Sequence, residues 1–351
     1  MSSKNSLLLE LLKTNTPSGR EDIGCHTFQN LCDIPNAKVI KDKVGNLALG
    51  IGNIDEPSTK ILISAHIDEI GLRVQFIDDN GFIFVTKNGG VDLKTCLGAK
   101  VNILHDNIVT TGIIGKAPIH VERRNDTEGK KIEITDIKID CGFRNKEEAM
   151  KYVAIGDCIV FKQTPEFLSN GRVVSKGLDD KAGVYVVMRV LQELKDKDLK
   201  KVAVYGACCT QEETTWNGAA SLIKMINPDI SLDYDVTFAT DDGHVEAKEW
   251  GDVKLGCGGC IVHSPDCNYE LVSKLQTVAK TCNIPTQEFS LSGSMTNTSP
   301  LKQFGFNVQT ALMSIPLRNM HTQVEMCDVH DLEALVALTV ETILSIELTE
   351  N

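Results

Sequence analysis

The sequence predicts an α/β protein interrupted by a small β domain. Two patterns carry this expectation. Residues 60–65, 202–208, 236–240 and 308–315 are near-continuous apolar runs, not alternating ones, so they read as strands covered on both faces. Residues 72–162 instead hold short β-type segments (81–85, 99–104, 107–114 and 131–139) split by Gly, Asn and Asp turns, the spacing of a small barrel or sandwich.

Taken in order, Leu7, Leu8 and Leu11 or Leu12 fit one face of a short helix that stops before Pro17. The first apolar strand runs into His66. After the β region, Val184, Val187, Leu191 and Leu194 recur at helical spacing within residues 182–194. The strands at 202–208, 236–240 and 308–315 follow, with helices expected at 269–282 and 331–348. The expected organisation is a discontinuous main domain, residues 1–71 and 163–351, around an inserted β domain of residues 72–162.

Bulk properties narrow the function. The 351 residues are 42% hydrophobic and 24% charged, as in globular proteins, and the net charge is −12. Binding a phosphate backbone needs clustered Lys and Arg, so neither nucleic acid nor an anionic membrane is an expected partner. No segment reaches the apolar length of a membrane span. Glu10 breaks the N-terminal apolar run and no small-residue cleavage site follows, so no signal peptide is expected. Twelve cysteines then read as free thiols of a reducing, cytoplasmic compartment. Cys257, Cys260 and Cys267 resemble part of a zinc knuckle, but the spacing is incomplete.

The chemistry concentrates at strand ends. The run 202–208 stops at the carboxylate pair Glu212 and Glu213, and His66, Asp179, Asp241 and His321 also end or closely follow predicted strands. Ligands in α/β sheets bind outside the carboxyl ends of the strands. Imidazoles with carboxylates suit Zn, Co or Mn, and one carboxylate can bridge two such ions. Singly, each residue has a plainer reading: Asp179 as a helix cap, Asp241 as a turn residue, a histidine as a hydrogen-bonded strand end. Spacing alone does not show that they converge.

Longer motifs add to this. AHIDEIG (65–71), GLDDKAG (177–183), QEE (211–213) followed by Asn217-Gly-Ala, VKLGCGG (253–259), IPTQ (284–287) and SIPLRNMH (314–321) occur in this order. Together they resemble the glutamyl aminopeptidase and tetrahedral (TET) aminopeptidase family of dinuclear metallopeptidases, over nearly the whole chain from Thr16 to Glu333. The resemblance implies a phosphorylase/peptidase-like α/β domain, a mixed central sheet covered by helices, with an inserted small β-barrel domain that mediates dimerisation. It implies two divalent ions (Zn, Co or Mn) per subunit. Asp179 would bridge them, His66 and Asp241 would complete one site, and Glu213 and His321 the other. Glu212 would be the general base, facing away from Glu213 because neighbours on an extended segment point different ways. Asp68, two residues beyond His66 and on the same strand face, would orient its imidazole. The implied activity is removal of N-terminal residues from short peptides, in a homo-oligomer such as a dimer or dodecamer.

The chain departs from the family pattern at the pocket. Thr214-Thr-Trp-Asn217 replaces the usual Val-Gly-Leu-Arg, and Met295 stands where the family has an Asp. Trp216 and Met295 would make the pocket more apolar. Arg318 is expected to contact substrate or pair with Glu325, and His120 to be structural or to reach a neighbouring subunit. The same ligands would also suit a deacylase of small N-acyl substrates. Intact candidates at every ligand position speak against an inactive scaffold. A glycosidase needs paired carboxylates but not two histidines.

Overall fold

Strand Val202–Cys209 shows how the sequence builds the main sheet. Every residue in it is buried, yet the side chains divide between two cores. Val202, Val204 and Cys208 face one cluster, and Ala203, Tyr205, Ala207 and Cys209 face another. Successive side chains point to opposite faces, and both faces are covered, so the sequence shows no alternation of polarity.

This computed structural model describes residues 3–124, 131–293, 296–299 and 305–349. The main sheet has eight strands, in the order Lys38–Lys41, Leu47–Gly52, Val202–Cys209, Thr59–His66, Ile230–Phe238, Gln309–Leu317, Gly259–His263 and Thr286–Ser290. The middle four run parallel, so their carboxyl ends share one edge. Antiparallel pairings on both sides make the sheet mixed.

Helix Leu178–Leu194 lies against one face, with Val184, Val187, Leu191 and Leu194 fully buried. Gly206 allows the close approach: a Cβ there would stand 2.5 Å from Leu191. Helices Ser3–Leu12, Asp22–Cys32 and Val329–Thr349 pack on the same helix. Helix Asn217–Ile226 covers the opposite face through Leu222, Ile223 and Ile226.

The strand expected at 236–240 instead spans Ile230–Phe238. Asp233 and Asp235 interrupt its apolar pattern and hide its first half. Asp233 is nonetheless buried, because Ser64 and Ser231 donate their hydroxyls to it. A buried polar group is tolerated when it is paired in this way.

Between Gly71 and Phe161 the chain forms a closed barrel rather than a sandwich. Its strands follow the order Gly71–Ile77, Ile83–Asn88, Lys138–Asp140, Ile108–Ile114, Lys100–His105 and Cys158–Phe161. Leu72, Val74, Ile103, Ile139 and Ile159 fill its own core. The fold is therefore mixed α/β with an inserted barrel.

Where the chain enters and leaves this barrel, Glu69 ties the segments together. Its carboxylate accepts from Lys176 Nζ at 2.6 Å and from Lys181 Nζ at 2.9 Å, all three side chains being buried. Burial alone would raise the Glu69 carboxyl, but the two ammonium groups outweigh it and hold the pKa at about 2.

Candidate metal centre

The shared carboxyl edge of the parallel strands places most of the expected residues side by side. Strand Thr59–His66 ends on His66. Strand Val202–Cys209 leads through Gln211, in the left-handed region at φ 59°, into the short helix Glu212–Thr215. Strand Gln309–Leu317 leads to His321, also left-handed at φ 60°. Asp179 lies just before the regular part of helix Leu178–Leu194.

Two groups of donor atoms result. His66, Asp179 and Asp235 each offer an atom within 4.8 Å of the others, as do Asp179, Glu213 and His321. Asp179 belongs to both. Its Oδ1 lies 3.0 Å from His66 Nε2, and its Oδ2 lies 3.3 Å from His321 Nε2. Glu213 Oε1 stands 3.5 Å from the same His321 nitrogen.

Asp241 is not in either group, which corrects the expectation. It sits beyond the strand, where its carboxylate takes Arg318 Nε at 2.9 Å and Arg318 Nη2 at 2.8 Å, and accepts from Leu255 N–H at 3.2 Å. Arg318 therefore pairs with Asp241 and not with Glu325. Asp235 occupies the place expected of Asp241. It points from within strand Ile230–Phe238, a stretch whose acidic residues masked it as a strand.

The supports of the cluster come from distant segments. Asp68 accepts from Glu212 N–H at 3.1 Å and Glu213 N–H at 3.2 Å, while His66 Nδ1 lies 3.1 Å from the Asp68 backbone oxygen and 3.5 Å from Oδ1. Asp68 thus holds the glutamate backbone as well as the imidazole. Glu212 and Glu213 diverge because they sit on a helical turn, not on the extended segment expected. Glu325, which sequence reasoning missed, accepts from Asp179 N–H at 3.2 Å and His321 N–H at 2.9 Å. Gly90, from the barrel region, offers its carbonyl to His321 Nδ1 at 3.1 Å. A Cβ on Gly90 would stand 2.8 Å from that ring.

Electrostatics test whether the cluster fits cations. Burial, aided by neighbouring carboxylates, pushes Asp180 and Glu212 well above the usual carboxyl range and Asp235 up to about 7. Burial would lower both imidazoles, but hydrogen bonds to Asp179 outweigh it, holding His66 well above its ordinary value and His321 at about 11. Asp180 Oδ2 is buried with no hydrogen-bond partner among the described residues. Two imidazoles leave this acidic nest undercompensated, and buried charge of one sign is costly unless paired or coordinated. Divalent cations at the two donor groups suit that imbalance.

A cavity of about 650 Å³ opens beside the cluster. Trp216 lies on its wall and donates its indole N–H to Glu212 Oε1 at 3.0 Å, another contact the sequence did not announce. Met295 lies outside the described residues. His120 is exposed in the short helix Ile119–Arg124.

Residues 45–338 match the model of the M42 glutamyl aminopeptidase family. The chain belongs to that family. It is a hydrolase, a metal-dependent aminopeptidase with the metallopeptidase fold. The lysyl aminopeptidase of Pyrococcus furiosus is 30% identical over 339 residues, covering 95% of this chain and 94% of its own. A TET aminopeptidase from a marine sediment thaumarchaeon superposes with a TM-score of 0.90 at 28% identity, covering 97% of this chain and 95% of that one. The TET1 peptidase of Pyrococcus horikoshii, described as assembling into a tetrahedron or a large octahedral shell, gives a TM-score of 0.85 at 29% identity, covering 97% and 98%. Among the described residues of this M42 chain, no helix is long and apolar enough to cross a membrane.

Proposed function

We propose that this chain removes single N-terminal residues from short peptides at a pair of divalent ions, Zn, Co or Mn. His66, Asp179 and Asp235 would hold one ion, and Asp179, Glu213 and His321 the other. The observation that carries this reading is the position of Asp179, one carboxylate shared by both donor groups. When bound, such ions supply Lewis acidity toward the peptide carbonyl and lower the pKa of water.

The residues of the chain supply the rest. Glu212 reaches the cluster without belonging to either donor group, its Oε2 3.9 Å from His66 Nε2. It takes a proton from the attacking water and passes it to the leaving amine, the role of a general base and then acid. Asp68 fixes the backbone of Glu212 and Glu213, and Glu325 fixes that of Asp179 and His321. The free α-amino group of a substrate finds complementary charge among the buried carboxylates, which favours cutting at the first residue.

The barrel carries exposed apolar residues, Phe76, Ile108, Val109 and Ile113 among them. We assign the barrel, with these exposed apolar side chains, to homo-oligomer contacts, in a dimer or a dodecamer. Twelve free cysteines suit a reducing cytosol, where peptide recycling is the natural setting. The test compares free-amine peptides with their N-acetylated counterparts on metal-loaded protein. Cleavage confined to free amines is expected, and cleavage confined to the acylated set would mark a deacylase.

A further inference from the structure

The cavity beside the metal centre is divided in character. All its charged side chains, namely Asp179, Glu212, Glu213, Asp235 and His321, belong to the cluster already described. Away from them, the wall is made by Trp216, Val236, Phe238, Trp250, Leu291 and Met320, with threonines and glycine between. Among the described residues, no lysine, arginine or further carboxylate lines it. Phe238 and Trp250 meet edge to face, ring centroids 4.6 Å apart and planes at 82°. Such a pair forms a shaped apolar wall.

We infer that this cavity receives the side chain of the substrate's first residue and selects large neutral side chains, aromatic or aliphatic, over charged and small ones. The inference rests on the aminopeptidase reading, because only there does the first side chain lie next to the cluster with nothing upstream of it. The physical reasons are two. A Phe, Leu or Met side chain packed against Trp216, Phe238 and Trp250 removes apolar surface from water, which an Ala side chain does far less. A Lys or Glu side chain must shed water where, among the described residues, no opposite charge lines the wall beyond the cluster, and burying an unpaired charge is costly. Stacking an ammonium on the aromatic faces returns only part of that cost.

The chain provides its own reporter. Its two tryptophans, Trp216 and Trp250, both line this cavity. Tryptophan emission of the full-length, metal-loaded protein therefore reads occupancy without turnover. Titration with L-phenylalaninol and L-leucinol is expected to give midpoints at least about tenfold below those of L-alaninol and L-lysinol. In parallel, kcat/KM on aminoacyl p-nitroanilides of Phe, Leu and Met should exceed that on Ala, Lys and Glu by at least about tenfold. Trp250→Ala should lower the Phe-to-Ala ratio by about tenfold, and Trp250→Asp should shift preference toward Lys. Trp250 is partly exposed, so both variants are expected to fold, with thermal melting as the check. Lysinol binding as tightly as phenylalaninol, or Lys or Glu leading the substrate ranking, overturns the inference. Selective phenylalaninol binding with no cleavage of any free-amine substrate would uphold the cavity and remove the aminopeptidase reading instead.

Discussion

Asp179 presents one carboxylate oxygen to each of two imidazoles, Oδ1 to His66 and Oδ2 to His321. A residue so placed belongs to both halves of the centre. Asp179→Asn is therefore expected to lose both ions, whereas Glu213→Gln loses chiefly one. Metal analysis of the purified variants after reconstitution and dialysis distinguishes these outcomes.

Glu212 reaches the cluster without joining either donor group. Glu212→Gln should keep the metal content of the wild type and lower kcat by about 10²–10⁴-fold, the usual contribution of a general base. A variant with full turnover would place the base elsewhere.

Asp235 and Asp241 make opposite predictions. Asp235→Asn removes a donor from the His66 group and should weaken metal binding and activity together. Asp241→Asn breaks the pairing with Arg318, both side chains being partly exposed at 17% and 25%. It should leave metal content unchanged and cost about 1 kcal/mol of stability or less. Metal analysis and denaturant titration of both variants decide the matter.

Glu69 governs acid sensitivity. Burial opposes its ionisation, but Lys176 and Lys181 outweigh burial and depress the carboxyl to about 2 from an ordinary 4.5. A depressed carboxylate stabilises the fold above its unfolded pKa and loses that contribution as pH falls toward its folded one. Its contribution is thus fully present above about pH 4.5 and fades toward about pH 2. Glu69→Gln leaves two buried ammonium groups without their counter-charge, so it should destabilise the protein by about 3–5 kcal/mol at neutral pH. The variant should also show a shallower loss of stability between about pH 4.5 and 2, measured by urea titration across pH.

Much of this was legible in the sequence, for identifiable reasons. Strand Val202–Cys209 announced itself because both its faces are apolar. The helix ending at Leu194 announced itself by its period. His66, Asp179, Glu213 and His321 end or closely follow expected strands, but it was the family resemblance, not their spacing, that grouped them; the fold brings their donor atoms together at the edge the parallel strands share. Asp235 did not, because a carboxylate inside a strand breaks the apolar pattern by which strands are recognised. Its burial depends on neighbours far away in the chain. The same holds for Glu325 and for the Trp216–Glu212 hydrogen bond: each joins segments whose proximity only the fold creates. The divergence of Glu212 and Glu213 was expected, but from an extended strand, whereas the left-handed Gln211 starts a helical turn there.

Two ions at the Asp179 cluster would enable removal of a free N-terminal residue. The most direct test titrates chelator-stripped protein with Zn, Co or Mn while following release of the first residue from a free-amine peptide, with the N-acetylated peptide alongside. Turnover should be negligible without metal and rise to a level at two equivalents per chain, with no cleavage of the acetylated peptide. Full turnover by the stripped protein, or a plateau at one equivalent, would rule out a two-ion centre.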